Sequence, residues 1–157
     1  MVVGIFGESC VGKSTLADHL KERLGAETYS GKDYLRLAKN EAQARLAFQA
    51  KLRESMTGAH LIYVITEREH LALLPEGALR VLVTADLETI KERFARRTGG
   101  RLPPPVVQML ERKHGMFDDE ARHIHMVSGE TDPDTACEAI LSLVSGGIQN
   151  EKQEDYL

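Results

Sequence analysis

Val2-Val3-Gly4-Ile5-Phe6-Gly7-Glu8-Ser9-Cys10-Val11-Gly12-Lys13-Ser14-Thr15 decides how this 157-residue chain is read. Its first five residues are almost wholly apolar, the pattern of a strand covered on both faces of a parallel sheet. Residues 7–14 then match G-x-x-x-x-G-K-[ST] at every defined position, and Thr15 follows. Beyond them Leu16, Ala17, Leu20 and Leu24 recur at helical spacing, and Gly25 stands where a C-cap would stop the helix. A glycine loop between a strand and a helix grips phosphate because the main chain wraps closely. N–H groups and the helix N-terminus then converge on anionic oxygens. Gly7, Glu8, Ser9, Cys10, Val11, Gly12, Lys13, Ser14 and Thr15 are therefore candidate nucleotide-binding residues. Lys13 is placed to reach the β and γ phosphates, and the Ser14 hydroxyl is a candidate Mg²⁺ ligand.

Outward from this stretch, residues 59–66 and 79–85 form two more apolar, β-rich runs, with weaker strand patterns at Glu27–Ser30 and 122–127. Between them helical periodicity covers 34–56, with a break near Asn40, then 87–98, 106–114 and 134–145. The last is introduced by Pro133, which suits a first helical position, and ended by Gly146-Gly147. Strands alternating with helices predict an α/β fold of about five parallel strands with helices on both faces. Residues 99–105, GGRLPPP, read as a projecting loop, and the polar stretch 148–157 as a tail that frays.

The length fits one domain, and 42% hydrophobic with 28% charged residues excludes a disordered chain. A net charge of −4 argues against sequence-independent nucleic-acid binding. No apolar run approaches the ~20 residues that cross a bilayer, and the start lacks the pattern of a secretory signal. Neither nucleic acid nor membrane is an expected partner, and the chain reads as cytoplasmic, a monomer or small homo-oligomer. Cys10 and Cys137 are expected to be free thiols. His123 and His125 would share one face of a strand, without a third metal ligand beside them.

A guanine-reading N-K-x-D motif is excluded, since the asparagines are Asn40, followed by Glu41, and Asn150; no Asp is followed three residues later by Gly. The chain instead resembles the nucleoside monophosphate kinase group of P-loop kinases, adenylate, cytidylate and shikimate kinases among them. The likeness rests on the phosphate loop, on the order of elements over nearly the whole chain, and on Glu92-Arg93-Phe94-Ala95-Arg96-Arg97. That run is similar to the family's pre-lid pattern of two arginines four apart, a spacing that puts Arg93 and Arg97 on one helical face. The resemblance implies a three-layer P-loop NTPase fold, with a single kinase domain over 1–147, an acceptor-binding segment at about 33–58 and a short lid at about 97–115. It implies ATP as phosphoryl donor with Mg²⁺, Arg93 over the adenine, Arg97 at the transferring phosphoryl group, and Arg101 or Arg96 as a third cation. By the same resemblance residues 128–133 lie against the adenine. Asp33 is placed to act as base toward an acceptor hydroxyl or to hold Mg²⁺ through water, and Arg36 to grip an acceptor phosphate or carboxylate. Lys13, Asp33 and Arg97 are thus the candidate catalytic residues.

One stretch departs from that pattern. Adenylate kinases follow the third strand with Asp-Gly and an arginine, whereas this chain has Ile65-Thr66-Glu67-Arg68-Glu69. Glu67 is the acid best placed to hold the Mg²⁺ shell, directly or through water, and Arg68 a further acceptor contact. The expected activity is ATP·Mg-dependent transfer of the γ-phosphoryl group to a small acceptor. A nucleoside monophosphate comes first, and a hydroxyl on a small metabolite or nucleoside second. A nucleotide-binding regulatory module without transfer is the alternative from another class.

Overall fold

The computed structural model describes residues 1–146; Gly147 and the 148–157 tail lie outside the described residues. In chain order the elements are β1 (Val2–Phe6), α1 (Lys13–Leu24), β2 (Glu27–Ser30), a 3-10 helix (Asp33–Leu37), α2 (Glu41–Ser55), β3 (Leu61–Ile65) and a second 3-10 helix (Arg68–Leu73). There follow β4 (Leu79–Thr84), α3 (Leu87–Arg97), α4 (Pro104–Lys113), β5 (Ile124–Val127) and α5 (Pro133–Gly146). The sheet is parallel throughout, in the order β2-β3-β1-β4-β5. β1 takes the centre because all five of its residues are buried, so no edge of it can face water. It pairs with β3 on one side, Ile5 opposite Val64, and with β4 on the other, Ile5 opposite Val81.

Alternation along the strands divides the core into two layers. Val3, Ile5, Ile62, Val64, Val81 and Val83 pack with Leu16 and Leu20 of α1, Ile90 of α3, Leu110 of α4 and Ile140 of α5. On the opposite face Val2, Phe6, Leu61, Tyr63, Ile65 and Leu82 pack with Phe48 and Leu52 of α2, Leu71 and Leu73 of the second 3-10 helix, and Phe117. The expected α/β architecture with helices on both faces is the one observed.

The break expected near Asn40 is a helix start. The Asn40 side chain accepts a hydrogen bond from the Gln43 N–H at 2.9 Å and caps α2, while the residues before it form the first 3-10 helix. Beyond strand ends that differ by one or two residues, two features depart from expectation. α4 begins at Pro104, not Val106, because prolines need no N–H partner in a first helical turn, which confines the irregular stretch to 98–103. The second 3-10 helix has no counterpart in the sequence reading; its six residues are too few to show a period.

Candidate functional site

The phosphate loop leaves the carboxyl end of β1 and turns directly into α1. Gly7 is required by proximity: a Cβ there would lie 2.2 Å from the Val83 carbonyl oxygen of the neighbouring strand. Gly12, the N-cap of α1, has φ 107°, a conformation that side chains resist. Cys10 also takes a positive φ of 65°, so the loop carries main-chain strain at a non-glycine position. Lys13 is buried, and its ammonium donates to the carbonyl oxygens of Gly7, at 2.7 Å, and of Glu8. Burial pushes its pKa down from the ordinary lysine range to about 8, with the positive charge of Arg97 acting in the same direction.

Three of the cavities at this loop share lining residues in order. The first, 440 Å³, is lined by Arg93, Met126, Ser128, Gly129, Thr131 and Pro133 together with Cys10, Gly12, Thr15 and Arg97. The second, 140 Å³, shares those last four residues and adds Ser9, Lys13, Ser14, Ser30, Val64 and Thr66. The third, 220 Å³, meets the second at Ser9 and Thr66 and is completed by Glu8, Glu67, Met109, Leu110, Lys113 and Met116.

Each arginine of α3 has a distinct position. Arg93 donates to the Cys10 carbonyl at 3.1 Å and to the Ser128 hydroxyl at 2.9 Å, tying the loop to the β5–α5 connection across the first cavity. Arg97 lines both the first and the second cavity. Arg96 is on the exposed side, paired with Glu92 at 2.6 Å, and Arg101 is exposed in the turn after α3, where its carbonyl accepts from the Thr98 hydroxyl.

On the other side, Asp33 begins the first 3-10 helix, and its carboxylate accepts from the N–H of Ser30, a residue of the second cavity. Arg36 lies over the Tyr29 ring, 4.5 Å from its centroid. Arg68 donates through Nε and Nη2 to the Glu120 carboxylate, at 3.1 and 2.9 Å, on the exposed surface. Ser14 and Glu67 stand in adjacent cavities, the second and the third. The imidazoles of His123 and His125 hydrogen-bond to the Arg80 N–H and the Thr84 hydroxyl of the neighbouring strand. Among the described residues no group of three or more His, Cys, Asp and Glu side chains is arranged to hold a metal. None of the described helices is long and apolar enough to cross a membrane.

Sequence reasoning missed Thr66, Met109, Lys113 and Met116 as cavity residues, and His114 and Gly115 as partners of the loop. α4 reads as an amphipathic helix like any other, and nothing in its period says what its exposed face meets. One signal was available: Glu8 puts a carboxylate inside a cradle for anions. Its main chain does belong to the loop, but its buried carboxylate accepts from His114 Nδ1 at 3.1 Å and from the Gly115 N–H at 3.0 Å.

No protein-family model matches the chain, and no curated protein matches it by sequence. Solved structures match it by fold. Shikimate kinase from Acinetobacter baumannii, in complex with shikimate, is 18% identical over 95% of each chain, with a TM-score of 0.62. A gluconokinase from Sinorhizobium meliloti is 17% identical over 93% of each chain, with a TM-score of 0.57. The YorR protein of Bacillus subtilis, in complex with phosphorylated GDP, is 18% identical over 92% of this chain and 96% of that one, with a TM-score of 0.62. The chain shares with them an α/β fold, a parallel sheet with helices on both faces.

Proposed function

We propose that this protein is a small-molecule kinase that moves the γ-phosphoryl group of ATP·Mg²⁺ to a hydroxyl of a small acceptor. The observation that carries it is the run of three cavities that share lining residues in order. A nucleoside in the first, its phosphates along the loop into the second, and an acceptor in the third would meet at Ser9 and Thr66. This arrangement would bring donor and acceptor together, which is most of what phosphoryl transfer asks of a protein.

The loop amides and the N-terminus of α1 hold the phosphates. Lys13 exchanges the Gly7 and Glu8 carbonyls for β and γ oxygens, and Arg97, shared by two cavities, faces the charge that develops on the transferring group. Arg93, already joined to Ser128, closes the nucleoside side. The hydroxyls of Ser14 and Thr66 with the carboxylate of Glu67 are hard oxygen donors, which suit Mg²⁺; Ser14 would hold the ion, with Glu67 through water. Bound there, Mg²⁺ would supply neutralisation of the β and γ phosphates. The acceptor hydroxyl, reaching from the third cavity into the second, attacks γ-phosphorus, the bond to the β–γ bridging oxygen breaks, ADP leaves, and Asp33, held by the N–H of Ser30 of the second cavity, takes the hydroxyl proton.

A hydroxyl acceptor is favoured over the nucleoside monophosphate first expected because of where the cations lie. Arg36 is stacked on Tyr29 and Arg68 is paired with Glu120, while Lys113 is the cation lining the third cavity. With Met109, Leu110 and Met116 beside it, that cavity suits a compact acceptor with an apolar flank and one anionic group. The test is ADP release from Mg·ATP across a panel of hydroxy acids, sugar acids, nucleosides and nucleoside monophosphates. Turnover with a hydroxy or sugar acid supports the reading. Turnover with monophosphates alone replaces the acceptor, and tight nucleotide binding with no product from any compound leaves the regulatory module.

A further inference from the structure

Glu8 is an acid at a free position of a phosphate-binding motif, where a carboxylate facing the cradle would repel the ligand. Its side chain is only 9% exposed and is turned onto the end of α4, with one oxygen on His114 Nδ1 and the other on the Gly115 N–H. Its main-chain carbonyl, meanwhile, accepts from Lys13 Nζ. One residue therefore holds the loop lysine through its backbone and the helix after the lid turn through its side chain. That helix carries Met109, Leu110 and Lys113 into the third cavity, which Glu8 also lines.

We propose that Glu8 is a positioning residue that couples the phosphate loop to α4, so that nucleotide in the loop sets the acceptor-facing side chains of α4. This rests on the kinase reading above. When phosphate draws Lys13 Nζ away from the Glu8 carbonyl, the Glu8 peptide is free to re-seat, and its two side-chain hydrogen bonds carry that shift to 114–115. Binding energy from the donor is thereby spent on ordering the acceptor site. By reciprocity, an acceptor held by Lys113 and Met109 tightens nucleotide binding by the same factor.

Amide hydrogen exchange of the full-length protein, with and without a saturating non-hydrolysable ATP analogue and Mg²⁺, tests this without knowledge of the acceptor. In the unmodified protein the nucleotide is expected to slow exchange over 104–115 by about fivefold or more. Glu8→Ala removes both hydrogen bonds and is expected to reduce that response to under about twofold at equal occupancy. His114→Leu, which removes one donor at an exposed helix end, is expected to give an intermediate response, and His114→Asn, which keeps a donor in place of Nδ1, the full one. The His114 pair serves the same purpose if Glu8→Ala does not fold. A full response in Glu8→Ala, or in His114→Leu where the first is unfolded, overturns the coupling alone. Absence of any calorimetric heat with the nucleotide in the unmodified protein overturns the kinase reading and the coupling with it.

Discussion

The proposed nucleotide and acceptor sides of the cleft are built from different material. Around the loop, the contacts are main-chain ones: the amides of 7–14, the N-terminus of α1, the Cys10 carbonyl that holds Arg93, and the carbonyls that hold Lys13. Across the cleft, the third cavity is made of side chains from three segments far apart in sequence, Glu8 and Ser9, Thr66 and Glu67, and 109–116. A site made of backbone needs a few glycines and a lysine at set spacing, and any protein that binds phosphate this way converges on them. A site made of side chains is open to change at each position, which is how one fold serves many acceptors.

Substitutions on the two sides should differ accordingly. Lys13→Ala is expected to have the largest effect, cutting transfer by about 10³-fold, the scale on which preorganised charge contributes at a transition state. Since Lys13 is held charged against desolvation, the same substitution should leave thermal stability unchanged or raise it, and a melting curve beside the ADP assay separates the two. Asp33→Asn is expected to lower kcat by about 10²-fold with a hydroxyl acceptor while the Kd for Mg·ATP stays the same. Equal losses in both would move Asp33 from the acceptor side to the metal.

The smallest effect expected is one of pH. With the Lys13 pKa at about 8 in the free protein, bound phosphate favours the ammonium, so binding above pH 8 must take up a proton. Affinity for the nucleotide is expected to weaken by up to about tenfold per pH unit above that point, visible by calorimetry in buffers of different ionisation heat. For folding the sign is opposite. Between about 8 and the unfolded lysine value of 10.5 the unfolded chain binds the extra proton, so the free protein gains stability as pH rises.

Much of this was legible in order along the chain. The five strands, the C-cap at Gly25, the break at Asn40 and the helix opened by Pro133 all follow from local pattern, and each stands within a few residues of its expected place. Arg93 and Arg97 were legible as a pair because four residues is about one helical turn, and both line the first cavity. Arg36 and Arg68 carry the same charge in the expected segments, yet their guanidinium groups meet Tyr29 and Glu120, partners that no local spacing announces.

Short-range pattern by itself determined the strand–loop–helix unit and the parallel α/β fold around it, because hydrogen bonding, glycine geometry and burial on both faces act between near neighbours. Only the tertiary structure decided which side chains of α4 line a cavity beside Thr66, and that the Glu8 carboxylate leaves the cradle for His114 and Gly115. The Glu8 contacts join residues 106 and 107 positions apart, and a chain specifies such meetings only through the packing of the whole sheet and its two helical layers.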